Sequence, residues 1–194
     1  MTQITIPKGF RVSAEQFDQL ADCLEDTQKL ELTSDGELVI MSPTGGDTGR
    51  KNGDLFASVW NWAKQDGTGV CFDSSTLFIL PNGARRSPDV SWILKSRWNQ
   101  LSIESKRKFS PLAPDFVIEL VSPSDGSPSR YKDLQTKMQE YIDSGVRLGW
   151  LINPDAKTVE IYRVGQVKEI LQNPYCLSGE DILVNFALDL AEIL

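Results

Sequence analysis

The stretch DFVIELV at residues 115–121 is strongly apolar, and it sets a single glutamate, Glu119, among hydrophobic side chains. A nearly continuous apolar run of this length predicts a β-strand that is buried on both faces. Side chains alternate along a strand, so Glu119 shares a face with Asp115, Val117 and Val121. Because a buried carboxylate is costly without a partner, Glu119 is a candidate for either a structural ion pair or a functional site.

Strand and helix patterns alternate irregularly around this stretch. Ser13 is the predicted N-cap of an amphipathic helix, AEQFDQLADCLED, and Ser34-Asp35-Gly36 predicts a hairpin turn between strands at 29–32 and 37–42. The whole pattern predicts a single α/β domain with a mixed sheet flanked by helices. The other predicted elements are helices at about 48–65, 130–144 and 187–193, a basic helical segment after 93, and strands at 70–73, 76–80, 89–93, 147–152, 158–163 and 167–171.

Composition narrows the chemistry available to the 194-residue chain. It contains no histidine, which excludes Ser-His-Asp triads, histidine general bases and the commonest zinc sites. A metal would have to be held by oxygen, which favours magnesium, manganese or calcium. The apolar runs are far shorter than the ~20 residues of a membrane helix, and no secretion leader opens the chain. The three scattered cysteines are typical of reduced thiols, so we expect a cytoplasmic protein without membrane contact.

Charge is unevenly distributed along a chain whose net charge is −7. Residues 14–37 carry eight acidic side chains and one lysine, whereas residues 85–108 carry seven basic side chains and two acidic ones. Two solvated faces would explain this pattern. A basic strip that meets a polyanion, beside an acidic shoulder, would explain it as well.

A second carboxylate could join Glu119 at a metal site, and two Pro-Asp pairs supply candidates. Asp115 lies four residues from Glu119 on the same strand, roughly 13 Å at ~3.3 Å per residue, too far to share an ion held at ~2.1 Å. Asp89 begins a different predicted strand and can converge on the same point. We therefore select Asp89, although a structural partner for Lys or Arg remains the commoner role of such an acid.

Several blocks of the sequence, in this order, resemble the Uma-two family of restriction endonucleases, placed in the PD-(D/E)XK nuclease superfamily. The resemblance extends from about residue 29 to the C-terminus. It implies a restriction-endonuclease-like fold, with residues 1–28 as an N-terminal helical extension and residues 29–194 as a nuclease-like core. The blocks are DGELVIMSPTG at 35–45, SPDV at 87–90, PDFVIELVSPSD at 114–125, KMQEY at 137–141, GVRLGWLINP at 145–154 and VEIY at 159–162.

The resemblance implies that Asp89 and Glu119 bind Mg²⁺, or Mn²⁺, with the main-chain carbonyl of Leu120 as a third ligand. The superfamily normally carries a lysine two positions after the glutamate, where this chain has Val121. The resemblance suggests that Lys137, on the following helix, replaces it. Lys137 lies beside the predicted inward stripe of that helix, and its long side chain could reach the edge of the sheet. The alternative is a surface lysine paired with an acid of its own helix, Glu140 or Asp133.

Further residues are weaker candidates for the site. Gln135 lies near the same helix face as Lys137, and Asn52 lies in the helix where many relatives carry a histidine. Glu31 and Glu37 fall where the family often carries acids, but exposed hairpin charges would explain both. The expected nucleic-acid contacts come from the basic strip and its tryptophan: Arg85, Arg86, Arg97 and Trp98.

The function expected from these residues is metal-dependent hydrolysis of DNA phosphodiester bonds. Asp89 and Glu119 would bind the metal, and Lys137 would assist the transition state. Superfamily nucleases often pair so that two sites face two strands, so a homodimer is expected. The alternatives are a catalytically inactive binding or interaction module with the same fold, and a nuclease acting on RNA or structured nucleic acid.

Overall fold

The predicted central strand lies inside a six-stranded mixed sheet of the computed structural model, which describes residues 9–23, 29–41 and 43–194. Within these residues, no helix is both long and apolar enough to cross a membrane. The helices are α1 (Ala14–Cys23), α2 (Gly46–Asp66), α3 (Lys95–Trp98), α4 (Ile103–Arg107) and α5 (Pro128–Asp143). The strands are β1 (Lys29–Leu32), β2 (Leu38–Met41), β3 (Gly69–Asp73), β4 (Phe78–Ile79), β5 (Arg85–Arg86), β6 (Val90–Leu94), β7 (Phe116–Leu120), β8 (Leu148–Asn153), β9 (Thr158–Arg163), β10 (Glu169–Gln172), β11 (Cys176–Ser178) and β12 (Ala187–Asp189).

The large sheet has the strand order β10-β9-β8-β7-β6-β3, and β7 is buried at every position. Strands β7 and β8 are parallel, and the other neighbouring pairs are antiparallel. A parallel pair requires a crossover, and α5 provides it between β7 and β8. The mixed sheet flanked by helices, predicted from the sequence, is confirmed.

Each face of the large sheet is covered by a helix. On one face, Val90 and Ile118 pack in a core shared with Leu55 of α2 and with the C-terminal segment. On the other face, Val117 packs in a core shared with Met138 of α5. Since side chains alternate along β6 and β7, the residues adjacent to Val90 and Ile118 point towards α5. The geometry of the sheet therefore directs Glu119 beneath α5.

A smaller sheet, in the order β2-β1-β5-β4, lies at the N-terminal side. The predicted hairpin is confirmed as β1 and β2, which pair from Lys29 opposite Met41 to Leu32 opposite Leu38. Helix α1 buries Phe17 against this sheet. The predicted N-cap is also confirmed, since the Ser13 hydroxyl accepts from the main-chain N–H of Gln16 at 3.2 Å.

One predicted helix is wrong, and two short strands were not predicted. The predicted helix at 187–193 is wrong, because Ala187–Asp189 forms β12 and pairs with β11. Its leucines, Leu188 and Leu190, are buried in alternation with exposed neighbours, which is the periodicity of a strand. Strands β5 and β11 were not predicted, and both are too short to carry a periodic signal. The end of the first predicted helix, at 24–26, and residue 42 of the predicted second strand lie outside the described residues.

Gly69 tests the packing between β3 and its neighbour β6. A Cβ at this position would lie 2.1 Å from the ring of Trp92, which is itself buried. We expect Gly69→Ala to lower the free energy of unfolding by about 1–3 kcal/mol through overpacking, measured by urea denaturation. Gly53→Ala, in α2, is the matched control, because a Cβ at this position would meet no described neighbouring group within 4 Å. This substitution should raise the free energy of unfolding by about 0.5–1 kcal/mol, since alanine favours the helix over glycine. Equal stability of Gly69→Ala and the wild type would contradict this packing.

Candidate active site

The two predicted metal ligands lie side by side on neighbouring strands. In the antiparallel ladder of β6 and β7, Val90 is opposite Ile118, so Asp89 and Glu119 form the next opposing pair. Side chains opposite one another in such a ladder have Cβ atoms about 4.5–5.5 Å apart. The main-chain N–H of Leu120 donates to Asp89 Oδ2 at 2.8 Å, which fixes the Asp89 carboxylate at the end of β7. The structure therefore brings Asp89, Glu119 and Leu120 together.

Helix α5 places two side chains on Glu119. The Tyr141 hydroxyl donates to Glu119 Oε1 at 2.9 Å, and the Lys137 ammonium lies 2.8 Å from the same oxygen. Lys137 and Tyr141 are four residues apart, so they lie on one face of the helix. Among the described residues, Glu119 Oε2 accepts no hydrogen bond. One carboxylate oxygen is thus held by the protein, and the other remains available to a ligand.

Lys137 is a buried residue, 8% exposed, and the alternative of a surface lysine paired within its own helix is wrong. Its ammonium donates to Glu31 Oε1 at 2.9 Å in addition to its contact with Glu119. Met138 and Tyr141 anchor this part of α5 in the core, and the lysine side chain follows them inwards.

Glu31 lies in the same cluster as Lys137, and its interpretation as an exposed hairpin charge is wrong. It is 2% exposed, and its carboxylate is enclosed by Arg86, the main chain at Ser87 and Lys137 of α5. Besides Lys137, its carboxylate accepts from the main-chain N–H of Ser87 at 2.8 Å and from Arg86 at 3.1 Å. Glu37 remains apart, where it accepts from the main-chain N–H of Gly9.

Arg85 and Arg86 were expected at a nucleic-acid surface, but they are buried in ion pairs. Arg85 pairs with Asp18 of α1 at 2.9 Å, and Arg86 pairs with Glu140 of α5 at 2.6 Å as well as with Glu31. Both arginines lie in the short strand β5, which is covered by α1 and α5. The prediction that Arg85 and Arg86 contact nucleic acid at the surface is therefore wrong.

Two further candidates, Asn52 and Gln135, differ in their contacts with the cluster around Glu119. Asn52 of α2 contacts Asp89, because its amide donates to Asp89 Oδ1 at 3.3 Å, while its own buried Oδ1 has no hydrogen-bond partner among the described residues. Gln135 instead donates to Glu160 of β9 at 2.6 Å. This second carboxylate lies two strands away from Glu119 and also accepts from Tyr131, Tyr162 and Lys168.

The remaining nucleic-acid candidates, Arg97 and Trp98, lie in α3 at the opposite end of β6 from Asp89. Arg97 pairs with the buried Asp115 at 2.9 Å, and Trp98 packs against Phe72. They are not part of the cluster around Glu119.

Two residues near the site were missed by the sequence analysis. Tyr141 could have been found, because its spacing of four from Lys137 places both on one helix face. Lys29 has no such signal: it is exposed on β1, donates to the Ser74 hydroxyl at 2.6 Å, and lies close enough for its charge to act on Asp89.

The electrostatics of the cluster follow from burial and from opposed charges. Burial raises the pKa of Glu119 to about 7, with Asp89 adding to the shift and Lys137 opposing it. Burial also raises the pKa of Asp89, although the hydrogen bond from the Leu120 N–H acts to lower it. For Glu31, burial acts upwards, but the charges of Lys137 and Arg86 hold its pKa below the ordinary value. In Lys137, the two glutamates outweigh burial and raise the pKa, so the lysine is a permanent cation.

These properties fit a divalent cation held by Asp89 and Glu119. The two enclosed carboxylates repel each other, a free oxygen is available on Glu119, and oxygen donors suit Mg²⁺ or Mn²⁺. In the described part of the chain, no three acidic or cysteine side chains converge on a common point. A site here would therefore need a main-chain carbonyl, water or an amide oxygen in addition to the two acids.

The raised pKa of Glu119 gives a testable pH dependence of stability. The folded protein binds the Glu119 proton more tightly than the unfolded chain, so this contribution to stability is present below pH 4.5 and lost as the pH rises through about 7. In the presence of a chelator, the wild type should lose stability relative to Glu119→Gln as the pH increases from 5 to 8, by an amount on the order of 2–3 kcal/mol. Thermal unfolding of both proteins between pH 5 and 8 measures this. A stability difference that does not vary with pH would contradict the raised pKa.

Comparison with known proteins identifies a family and a solved structure that this chain resembles. The family model Uma2, described as "Putative restriction endonuclease", matches residues 14–191. A crystal structure titled as a putative nuclease belonging to DUF820, from Anabaena variabilis, superposes with a TM-score of 0.73 at 20% identity. That match covers 90% of this chain and 94% of the other, and at this identity it shows a common fold. No protein with curated annotation matches.

The family match covers most of the chain, including the strands that carry Asp89 and Glu119 and the helix that carries Lys137. The resemblance drawn from the sequence blocks is therefore confirmed. This chain belongs to the Uma2 family.

Proposed function

We propose that this protein is a divalent-metal-dependent nuclease that hydrolyses phosphodiester bonds of DNA. The observation that carries the proposal is the cross-strand pair Asp89 and Glu119, with the buried ammonium of Lys137 at 2.8 Å from Glu119. Two acids can hold a divalent ion for phosphodiester hydrolysis, and a neighbouring ammonium can stabilise the negative charge that develops. The description of the family supports the same class of reaction.

Asp89 and Glu119 would hold Mg²⁺ or Mn²⁺, with the main-chain carbonyl of Leu120 as the third protein ligand. When bound, the ion supplies Lewis acidity towards the phosphodiester and lowers the pKa of the attacking water. Asp89 is kept in place by the N–H of Leu120, and Glu119 by the hydroxyl of Tyr141. Prearranged ligands of this kind reduce the reorganisation needed during the reaction.

Lys137 is proposed to stabilise the negative charge that develops on the phosphate. Val121 occupies the position of the superfamily's usual lysine and is buried, so it offers no charge. Lys137 approaches the same carboxylate from α5 and retains its proton because of the surrounding acids. A permanent ammonium suits the binding of an anionic transition state.

The DNA is proposed to approach the open side of the site near Lys29. This lysine is exposed and its charge acts on Asp89, so it can contact a phosphate next to the metal ligands. Arg97 and Trp98 would contact only more distant nucleotides.

The protein is also proposed to form a homodimer, in which each of two sites faces one DNA strand. Within each chain, residues 1–28 are proposed to form an extension and residues 29–194 the nuclease core.

A catalytically inactive binding module is the second candidate. It is favoured by the engagement of Lys137 with two carboxylates, which neutralises much of its charge. The cleavage and metal-binding experiments below distinguish this candidate from a nuclease.

Cleavage of supercoiled plasmid tests the proposed site directly. With Mg²⁺ or Mn²⁺, the wild type should nick the plasmid, and Asp89→Asn and Glu119→Gln should each reduce the rate by about 10³-fold, because each removes a metal ligand. Glu37→Gln is the matched control: it neutralises a glutamate of the neighbouring hairpin that has no contact with the site. Equal nicking by all four proteins would mean a contaminant or a wrong site, and absence of nicking throughout would favour the binding module.

Metal binding can be measured without cleavage. At a Mn²⁺ concentration 100 times the dissociation constant, the wild type and Glu37→Gln should gain about 2.7 kcal/mol of stability, seen as a higher melting temperature. Asp89→Asn should lose most of this gain. If the melting temperature of the wild type does not respond to millimolar Mn²⁺ or Mg²⁺, the two acids do not form a metal site.

A further inference from the structure

We infer that Glu31, on the small N-terminal sheet, is a positioning residue that holds Lys137 in its working place. The inference rests on the proposed function of Lys137, because it assigns Glu31 a role only through that lysine. The hydrogen-bond partners of the Glu31 carboxylate are Lys137, Arg86 and the main chain at Ser87, and its charge also acts on Asp89 and Glu119.

The carboxylate of Glu31 is itself firmly fixed. Oε1 accepts from Ser87 N–H at 2.8 Å and from Lys137 at 2.9 Å, and Oε2 accepts from Arg86 at 3.1 Å. A buried carboxylate with charge-assisted bonds on both oxygens has little rotational freedom. Arg86 is in turn held by Glu140 at 2.6 Å. Glu31 is therefore a rigid anchor for any group bound to it.

Lys137 has two acidic neighbours that differ in function. Lys137 contacts Glu119 Oε1, which also accepts a hydrogen bond from the Tyr141 hydroxyl. Glu119 is the residue proposed to bind the metal. A metal ion bound by Glu119 would weaken the attraction between this carboxylate and the Lys137 ammonium. The bond to Glu31 uses a different carboxylate, so Lys137 would keep a counter-ion whether or not Glu119 binds a metal ion.

Glu31 also joins the small sheet to the segment that leads into Asp89. Ser87, which donates its main-chain N–H to Glu31, lies two residues before Asp89. Lys137, the other partner, belongs to α5. One side chain thus fixes the spacing between the strand that carries a proposed metal ligand and the helix that carries the proposed lysine. Groups that orient a catalytic side chain in this way typically matter about 10–100-fold for activity.

A double-mutant cycle tests whether Glu31 acts through Lys137. In plasmid cleavage, Glu31→Gln should lower kcat about 10–100-fold with little change in KM. In a Lys137→Gln background, the same substitution should lower the residual rate by less than about twofold, because its target is absent. Equal losses in both backgrounds would overturn the inference. Glu37→Gln, in the same hairpin, is the matched control and should leave kcat unchanged.

A second measurement does not require activity. In protein labelled with ¹⁵N at lysine, the Lys137 ammonium, assigned by its loss in Lys137→Arg, should exchange its protons slowly with water. Glu31→Gln should accelerate this exchange at least about tenfold, whereas Glu37→Gln should not. Unchanged exchange in Glu31→Gln would overturn the inference. If the wild type fails to cleave DNA, the proposed function fails, and the exchange experiment still decides whether Glu31 positions the lysine.

Loss of folding would imitate loss of positioning, so a charge-balanced variant is included. Glu31→Gln combined with Arg86→Gln removes both members of a buried ion pair and leaves no excess cation at Arg86. This double variant should fold, as shown by cooperative thermal unfolding, and should still exchange the Lys137 ammonium rapidly. Slow exchange in the folded double variant would mean that another group holds Lys137.

Discussion

The ammonium of Lys137, held between Glu31 and Glu119, is the contact on which the arrangement of the site depends. It joins three parts of the fold: the small N-terminal sheet, the crossover helix α5 and the central strand β7. Buried ion pairs gain little net stability, because desolvation offsets much of the attraction, but they strongly penalise any displacement of one partner. The contact therefore acts less as a source of stability than as a constraint on where these three elements meet.

The surrounding charges are arranged as an extended network with an unequal balance. Four carboxylates, those of Glu31, Asp89, Glu119 and Glu140, are accompanied by two enclosed cations, Lys137 and Arg86, and the exposed Lys29 adds its charge near Asp89. When every group is ionised, the negative charges outnumber the positive ones. The protein can relieve this excess by retaining a proton on Glu119, in agreement with its raised pKa. A divalent cation would relieve it completely, which explains why an electrostatically unfavourable cluster could be kept in a folded domain.

Much of the large sheet could be predicted from the sequence, because its signals are local. The apolar run around Glu119 indicated the central strand, and the Pro-Asp pair at Asp89 indicated a second acid on another strand. Glu31 and Arg86 were misjudged for a common reason. Each is a charged residue in or next to a short strand, and only the tertiary packing of α1 and α5 over that strand buries it. Sequence periodicity carries no information about a partner more than 50 positions away, such as the one that Arg86 finds in Glu31.

The distance along the chain between Glu31 and Lys137, 106 positions, has a consequence for the order of folding. The β7–α5–β8 unit brings Glu119, Lys137 and Tyr141 together through contacts between consecutive elements, so it can form early. Closing the much longer loop to β1 costs additional chain entropy and comes later. A chain that has folded only its central unit would hold Lys137 against Glu119 without its anchor. The β7–α5–β8 unit also lacks Asp89, which precedes β6, so the whole cluster around Glu119 is assembled only after β6 and the first hairpin have docked.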